Sequence, residues 1–443
     1  MCVALVLWAG ACSEGTGGVE PGEVPFSRPD DKTIRLSASP GSLVQTVPAW
    51  TLSVDLEMGG SLGEFEAPLD ITVLDDGRLL VLDGGSKQVL LMDEGGSLIR
   101  RIGGPGGGPA EFEHVYGIAA VGGSFVVLSQ SNTKVFSVFD TLGQFVRSAP
   151  PPVEGDWNLV MRRRFSQRDG RTVVPVAEDI TARISELSAD RFLHVVGPNE
   201  NAFPEDSLRK GRFVPGETLV RYGPDLVPLD TVARLWGVPN RVTDYFPVAG
   251  GSWVQEVLAP KSVWVGGRGT LAIHQPDEPE VAVVDAEGDV ILRLVWEAEE
   301  RSVTEDDRMG LIHWMLIRDS VHTPPDRQHT LAMGRERAEI QRRQRSIFAF
   351  SELLPEVTWL GLSGDCLILA PFHGESNLQG VSLTMLVVDI RTRTPLGLVN
   401  LDRVGARVRT AGHGGIWVSY YDPYAAMVFG RFTLPFTQCG PGS

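Results

Sequence analysis

The strongest constraint in this chain is a unit that occurs twice between Gly60 and Pro150. Gly63-Glu64-Phe65-Glu66-Ala67-Pro68-Leu69-Asp70-Ile71 recurs 47 residues on as Ala110-Glu111-Phe112-Glu113-His114-Val115-Tyr116-Gly117-Ile118. Both copies continue in the same way. An apolar run meets a tight turn (Asp75-Asp76-Gly77, then Gly122-Gly123-Ser124), and a second apolar run follows (Leu79 to Leu82, then Phe125 to Leu128). A third run ends in Asp (Val89 to Asp93, then Val135 to Asp140), and a fourth follows a Gly turn (Leu98 to Ile102, then Phe145 to Arg147). Short apolar runs separated by turn residues specify strands, and four strands in about 40 to 50 residues are the pattern of a β-propeller blade.

Extended along the chain, the pattern predicts an all-β, six-bladed propeller over 34–443. Blade one spans 65–103 and blade two 112–149. The Gly103-to-Pro109 loop between them lacks the Gly-Lys-Ser/Thr ending of a phosphate cradle and reads as a crossover. Blade three is the least regular. Leu159 to Phe165 and Thr172 to Val176 are its expected inner pair, with a polar insertion over 177–212 before runs at 218–222 and 230–236. Blade four has runs at 262–265, 270–274, 281–285 and 290–296, and its Asp285-to-Gly288 turn repeats the Asp140-to-Gly143 turn of blade two. The period then breaks. Thr304 reads as an N-cap followed by Glu305, Asp306 and Asp307, and 303–352 is expected as an inserted helical hairpin. Blade five has runs at 359–362, 366–370, 383–389 and 396–401. Blade six has three, at 408–411, 416–420 and 426–432, so the isolated run 51–56 is expected to supply its missing strand and close the ring.

With these residues in view, the chain resembles the bacterial six-bladed propeller lipoproteins related to NHL-repeat propellers. The resemblance rests on the Gly-rich segment ending Pro109-Ala110-Glu111-Phe112, the Asp75-Asp76-Gly77-Arg78 turn before Leu79 to Asp83, and the Val138-to-Gly143 pattern. It covers about 34 to 435. It specifies architecture rather than activity, because a fold does not fix a function.

The N-terminus agrees with export. Val3 to Ala11 is too short to span a bilayer but has the size of a signal-peptide core, and Ala9-Gly10-Ala11-Cys12 resembles a lipobox, making 1–12 the signal and Cys12 the lipidated residue. Residues 13–33, rich in Gly, Pro, Glu and Ser, are expected as a flexible linker to the membrane. Of the four cysteines, Cys366 and Cys439 remain. An exported protein could pair them, or Cys366 could serve as a small buried hydrophobe.

No catalytic signature occurs: there is no His-Glu-x-x-His, Gly-x-Ser-x-Gly or EF-hand loop. A net charge of −16 argues against nucleic acid as a partner. His114, before the inner strand of blade two, and His413, in a Gly-rich turn, are candidate metal ligands. His274 and His373 follow second-strand runs. The acid pairs Asp75/Asp76 and Asp306/Asp307 read as turn and helix-start residues. Arg335, Arg337, Arg342, Arg343 and Arg345 on the expected second helix form a candidate docking face. The expected function is that of an envelope-tethered, monomeric binding module for a protein, peptide or glycan, touching the membrane through its lipid alone. The alternative is a metal-dependent lyase or hydrolase acting at the central channel. No cofactor is specified.

Overall fold

The computed structural model describes residues 22–60, 65–121, 123–130, 134–150, 184–188, 191–196, 212–213, 216–243, 252–309, 311, 349–372, 383–403, 406–421 and 426–440. Their regular structure is nearly all strand. The N-terminal part holds β1 (Phe26–Ser27), β2 (Thr33–Leu36), helix α1 (Pro40–Thr46), β3 (Trp50–Leu52) and β4 (Leu56–Gly59). Sheet one follows as β5 (Pro68–Val73), β6 (Leu79–Asp83), β7 (Gln88–Met92) and β8 (Leu98–Ile102). Sheet two is β9 (His114–Val121), β10 (Ser124–Gln130), β11 (Lys134–Asp140) and β12 (Phe145–Ala149).

Next in the chain come β13 (Ile184–Ser188), β14 (Arg191–Val196), β15 (Arg212–Phe213), β16 (Gly216–Tyr222), β17 (Pro228–Trp236), β18 (Asn240–Thr243) and β19 (Ser252–Val257). Sheet three takes β13, β14, β16 and β17. Sheet four is β20 (Val263–Gly267), β21 (Thr270–His274), β22 (Glu280–Asp285) and β23 (Val290–Val295). After β24 (Ala349–Phe350), sheet five is β25 (Val357–Ser363), β26 (Cys366–Pro371), β27 (Thr384–Asp389) and β28 (Thr394–Leu401). The last three strands, β29 (Arg407–Gly412), β30 (Gly415–Tyr421) and β31 (Met427–Thr433), take β4 as a fourth and make sheet six.

The sheets are arranged in a propeller-like manner. The first strand of each neighbours the first strand of the next: β5, β9, β13, β20, β25, β29, then β5 again. This placement explains the unbroken apolar runs at second strands. Leu80 and Leu82 of β6 enter the core shared with sheet two, while Leu79 and Val81 enter the core shared with sheet six. In β26, Leu367 and Leu369 face sheet four, and Cys366 and Ile368 face sheet six. A strand buried on both faces has apolar residues at both phases of its period-2 pattern. Between sheets one and two, the Phe125 and Phe139 rings stack at 5.2 Å.

The third-to-fourth strand turns are built locally. Asp140 Oδ1 accepts from the Leu142 and Gln144 amides at 2.9 and 2.8 Å, with Gly143 at φ +75°. Asp285 Oδ1 accepts from the Glu287, Gly288 and Asp289 amides, with Gly288 at φ +99°. Gly supplies the left-handed residue and Asp holds the turn amides.

Four expectations change. The run expected at 51–56 divides: β3 lies parallel to β28 of sheet five, and β4 pairs antiparallel with β31. The expected linker 13–33 gives way to structure within its length, since Val24 is buried and β1 pairs with β2, which lies parallel to β23. Ile184–Ser188 and Arg191–Val196, expected within an insertion, pair antiparallel as the first two strands of sheet three. The pair expected at 159–176 lies outside the described residues. Thr304 is the N-cap as expected, its Oγ1 accepting from the Asp307 amide at 3.2 Å, and Asp307 Oδ2 accepts in turn from the Thr304 amide at 2.9 Å. Ala349–Phe350, however, is a strand parallel to β19, and most of the expected hairpin lies outside the described residues.

Cys366 and Cys439 are joined in a disulfide and both are fully buried. The bond ties the C-terminal end of the chain to the start of β26. Met58 of β4 is 3 % exposed and packs in the core between sheets six and one. Met58→Ala should therefore cost about 2–5 kcal/mol in chemical denaturation, as a buried truncation does. Ile99→Ala, at a 52 % exposed position, should stay within about 0.5 kcal/mol. Replacing both cysteines by Ser should lower the denaturation midpoint, because a loop of 73 residues corresponds to about 4 kcal/mol of chain entropy.

Candidate functional site

Neighbouring first strands run in the same direction, so the molecule has two distinct ends. Arg409 Nη1 of β29 donates to Leu69 O of β5 at 3.2 Å, and the following turn meets the turn after β5. There a Cβ at Gly77 would lie 2.9 Å from His413 Nε2. Arg78 Nη1 reaches Thr141 O in sheet two at 2.8 Å. Gly414 N donates to Ser363 Oγ, joining the equivalent turns of sheets six and five. One end of the cycle thus gathers the tight hairpin turns.

The other end gathers the long connections. β15 comes from the β14–β16 connection, β18 and β19 from the β17–β20 connection, and β24 from the β23–β25 connection. Together they form a seventh sheet in the order β15-β18-β19-β24. The Ser351 amide donates to Val257 O at 3.1 Å, and Val303, Leu311, Leu354 and Phe372 pack beside it as a separate apolar cluster. Three connections that are distant in sequence therefore build one structure at one end.

His114 starts β9 at this insertion end and is exposed. Tyr116, two residues on, is half-buried, and burial raises its phenol above the usual value. His413 lies at the turn end, where its Nδ1 is buried with no hydrogen-bond partner. The structure thus sets His114 and His413 at opposite ends of the first strands. Six strand residues amount to roughly 20 Å, too far for one metal. His274 is buried, with Nδ1 2.9 Å from Glu280 O, and burial lowers its pKa. Among the described residues no group of three or more His, Cys, Asp or Glu side chains gathers to hold a metal. Asp76 pairs with Arg78 at 2.7 Å, and that hydrogen bond holds its carboxyl low. His373 and the arginines at 335, 337, 342, 343 and 345 lie outside the described residues.

The junction of sheets six and one holds an arrangement that sequence reasoning missed. Asp70 of β5 is 6 % exposed, and its Oδ1 accepts from the Ile71 amide at 2.9 Å. Arg409 Nε donates to the buried Ser419 Oγ at 2.7 Å. Burial pushes the Asp70 carboxyl up to about 6, and the nearby Arg409 and Arg407 guanidiniums only partly offset it. A buried carboxyl whose pKa is raised to about 6 changes charge in the mildly acidic range, where it can hold or release a proton. Two signals were available: an Asp inside the apolar run Leu69 to Val73, and the alternation Arg407-Val408-Arg409-Thr410 entering a strand. Neither reveals that β5 and β29 are neighbours.

No known protein family and no curated protein matches the sequence. Solved structures match in shape. A member of the duf4221 family from Bacteroides vulgatus aligns over 86 % of this chain and 97 % of its own at 10 % identity and TM-score 0.40. A β-propeller domain from Myceliophteria thermophila aligns over 84 % and 97 % at 8 % identity and TM-score 0.33. At such scores neither decides the fold, which rests on the strand pairing itself.

The Asp70 carboxyl generates a signed pH effect. Its folded pKa lies above the unfolded value of 3.8, so the folded state binds more protons in that window. Its contribution to stability is full below about pH 4 and is lost as pH rises toward 6, by roughly 3 kcal/mol at 1.36 kcal/mol per unit. Asp70→Asn should flatten the stability–pH curve between pH 4 and 6, measured by urea denaturation across that range.

Proposed function

We propose that this chain is a closed six-bladed β-propeller, exported and tethered to a membrane through Cys12. In this reading it binds a protein, peptide or glycan at the cell envelope through the insertion end. The observation that carries the proposal is the seventh sheet, assembled entirely from connections that leave the cycle at one end. A scaffold that keeps one end as minimal turns and elaborates the other presents a binding surface on a rigid base. The six-bladed, closed reading is supported by the cyclic order of first strands and by the pairing of β4 with β31.

Export is supported by the apolar N-terminal run ending at Cys12 and by the Cys366–Cys439 disulfide, a bond that persists in oxidising compartments. Among the described residues no helix is long and apolar enough to cross a membrane. The test is site-specific photo-crosslinking in envelope preparations, with the photoreactive residue at position 114 on the insertion end or at the exposed position 289 on the turn end. Adducts from 114 and none from 289 are expected. Adducts only from 289, or none from either position, would overturn the reading.

A further inference from the structure

The N-terminal segment treats the six sheets unequally. It lays β2 along β23, β3 along β28 and β4 along β31, covering the outer edges of sheets four, five and six. Under this cover Leu292, Leu294, Leu398, Val399 and Leu401 are completely buried. The outer strands of sheets one, two and three, namely β8, β12 and β17, have no strand on their outer edges among the described residues. The contrast appears in exposure. The first four residues of β8 and of β12 are all exposed, including Leu98 at 42 %, Ile99 at 52 % and Val146 at 57 %.

A bare strand edge is a row of unpaired backbone groups that readily accepts another strand, and natural proteins protect such edges. Here half of the edges are protected by the chain itself, and sheets four and five show that an extended segment fits them in parallel.

Of the three, β12 is followed by residues outside the described set and β17 carries an acid, Asp230, which leaves the β8 edge. It reads Leu98-Ile99-Arg100-Arg101-Ile102 and contains no acid, on a chain of net charge −16. Arg100 Nη1 donates to Leu142 O at 2.9 Å, which sets the 57 % exposed Leu142 beside the same edge. Arg101 reaches Gln88 Oε1 at 3.4 Å and is otherwise exposed. Apolar and cationic groups thus share one edge.

We infer that the outer edge of β8 is a docking site for an extended, acidic segment of a partner protein, which adds a fifth strand to sheet one. Backbone hydrogen bonds supply affinity, and the side chains of the added strand select for it. Successive side chains of β8 point to opposite faces, so acids on one face of the added strand meet Arg101 beside Ile99, and apolar residues on its other face meet Leu98 and Leu142. This surface lies on the rim of the cycle, apart from the insertion end, so its success or failure is independent of the function proposed above.

The probe is a fluorescein-labelled heptapeptide of alternating Glu and Val, titrated into the full chain by fluorescence anisotropy, with the Lys/Val heptapeptide as control. Saturable binding of the acidic peptide is expected, weakening at least threefold between 50 and 300 mM salt as surface charge is screened. Ile99→Asp and Arg101→Glu, both at exposed positions, should each weaken it at least tenfold with circular dichroism unchanged. Amide hydrogen exchange over 98–102 should slow on binding. Absence of binding, equal binding of the Lys/Val peptide, or binding that both substitutions leave intact would overturn the inference. So would a concentration-dependent dimer abolished by Arg101→Glu, which would assign the edge to a second copy.

Discussion

The pairing of β4 with β31 is the contact on which the arrangement depends. Sheet six has three strands of its own, and without β4 the last strand would expose a full edge beside sheet one. The register Val428↔Gly59 to Arg431↔Leu56 fills that edge. Side chains fasten it. Asp55 accepts from Thr433 Oγ1 at 2.6 Å and pairs with Arg431 at 3.2 Å. Glu57 accepts from Arg403 at 2.7 Å and from the Tyr420 hydroxyl, while the Arg403 guanidinium lies 4.8 Å from the Tyr420 ring centre. These partners are separated by more than three hundred residues. Joining them closes a loop of several hundred residues, whose entropy cost grows only logarithmically with length. The Cys366–Cys439 disulfide does for the C-terminal end what β4 does for the N-terminal side, and both converge on sheets five and six.

The two ends of the cycle follow different rules. At the turn end each problem has a local answer: an Asp gathers turn amides, a Gly takes the left-handed conformation, and an arginine reaches the neighbouring turn. Arg78 bonds Thr141 O, and Arg191 at the corresponding place in sheet three bonds Ala286 O at 3.2 Å. At the insertion end the answers are non-local, because the seventh sheet draws on three separate connections. A rigid base with an elaborated end is the feature on which the proposed binding role rests.

Much of the fold was legible because burial on both faces leaves a strong mark. The strands of sheets one, two, four and five coincide closely with apolar runs bounded by Asp and Gly turns. The first half of sheet three was misread because Arg191-Phe192-Leu193-His194-Val195-Val196 stands in a polar stretch, whereas the runs expected at 218–222 and 230–236 fall within β16 and β17. The run at 51–56 was read as one strand because period-2 alternation does not show where a chain changes partner. Of the site, Asp70 and Arg409 were visible as residues but not as neighbours, since they belong to the first and last sheets.

The sequence by itself determined the strand class, the four-strand unit and the turn chemistry. These follow from side-chain period, glycine conformational freedom and Asp–amide hydrogen bonding, all local properties. The tertiary structure alone decided which end of the chain completes sheet six, which edges the N-terminal segment covers, and that His114 and His413 stand at opposite ends while Asp70 and Arg409 lie on neighbouring strands. Those outcomes depend on packing between residues hundreds of positions apart, and no local pattern encodes such a distance.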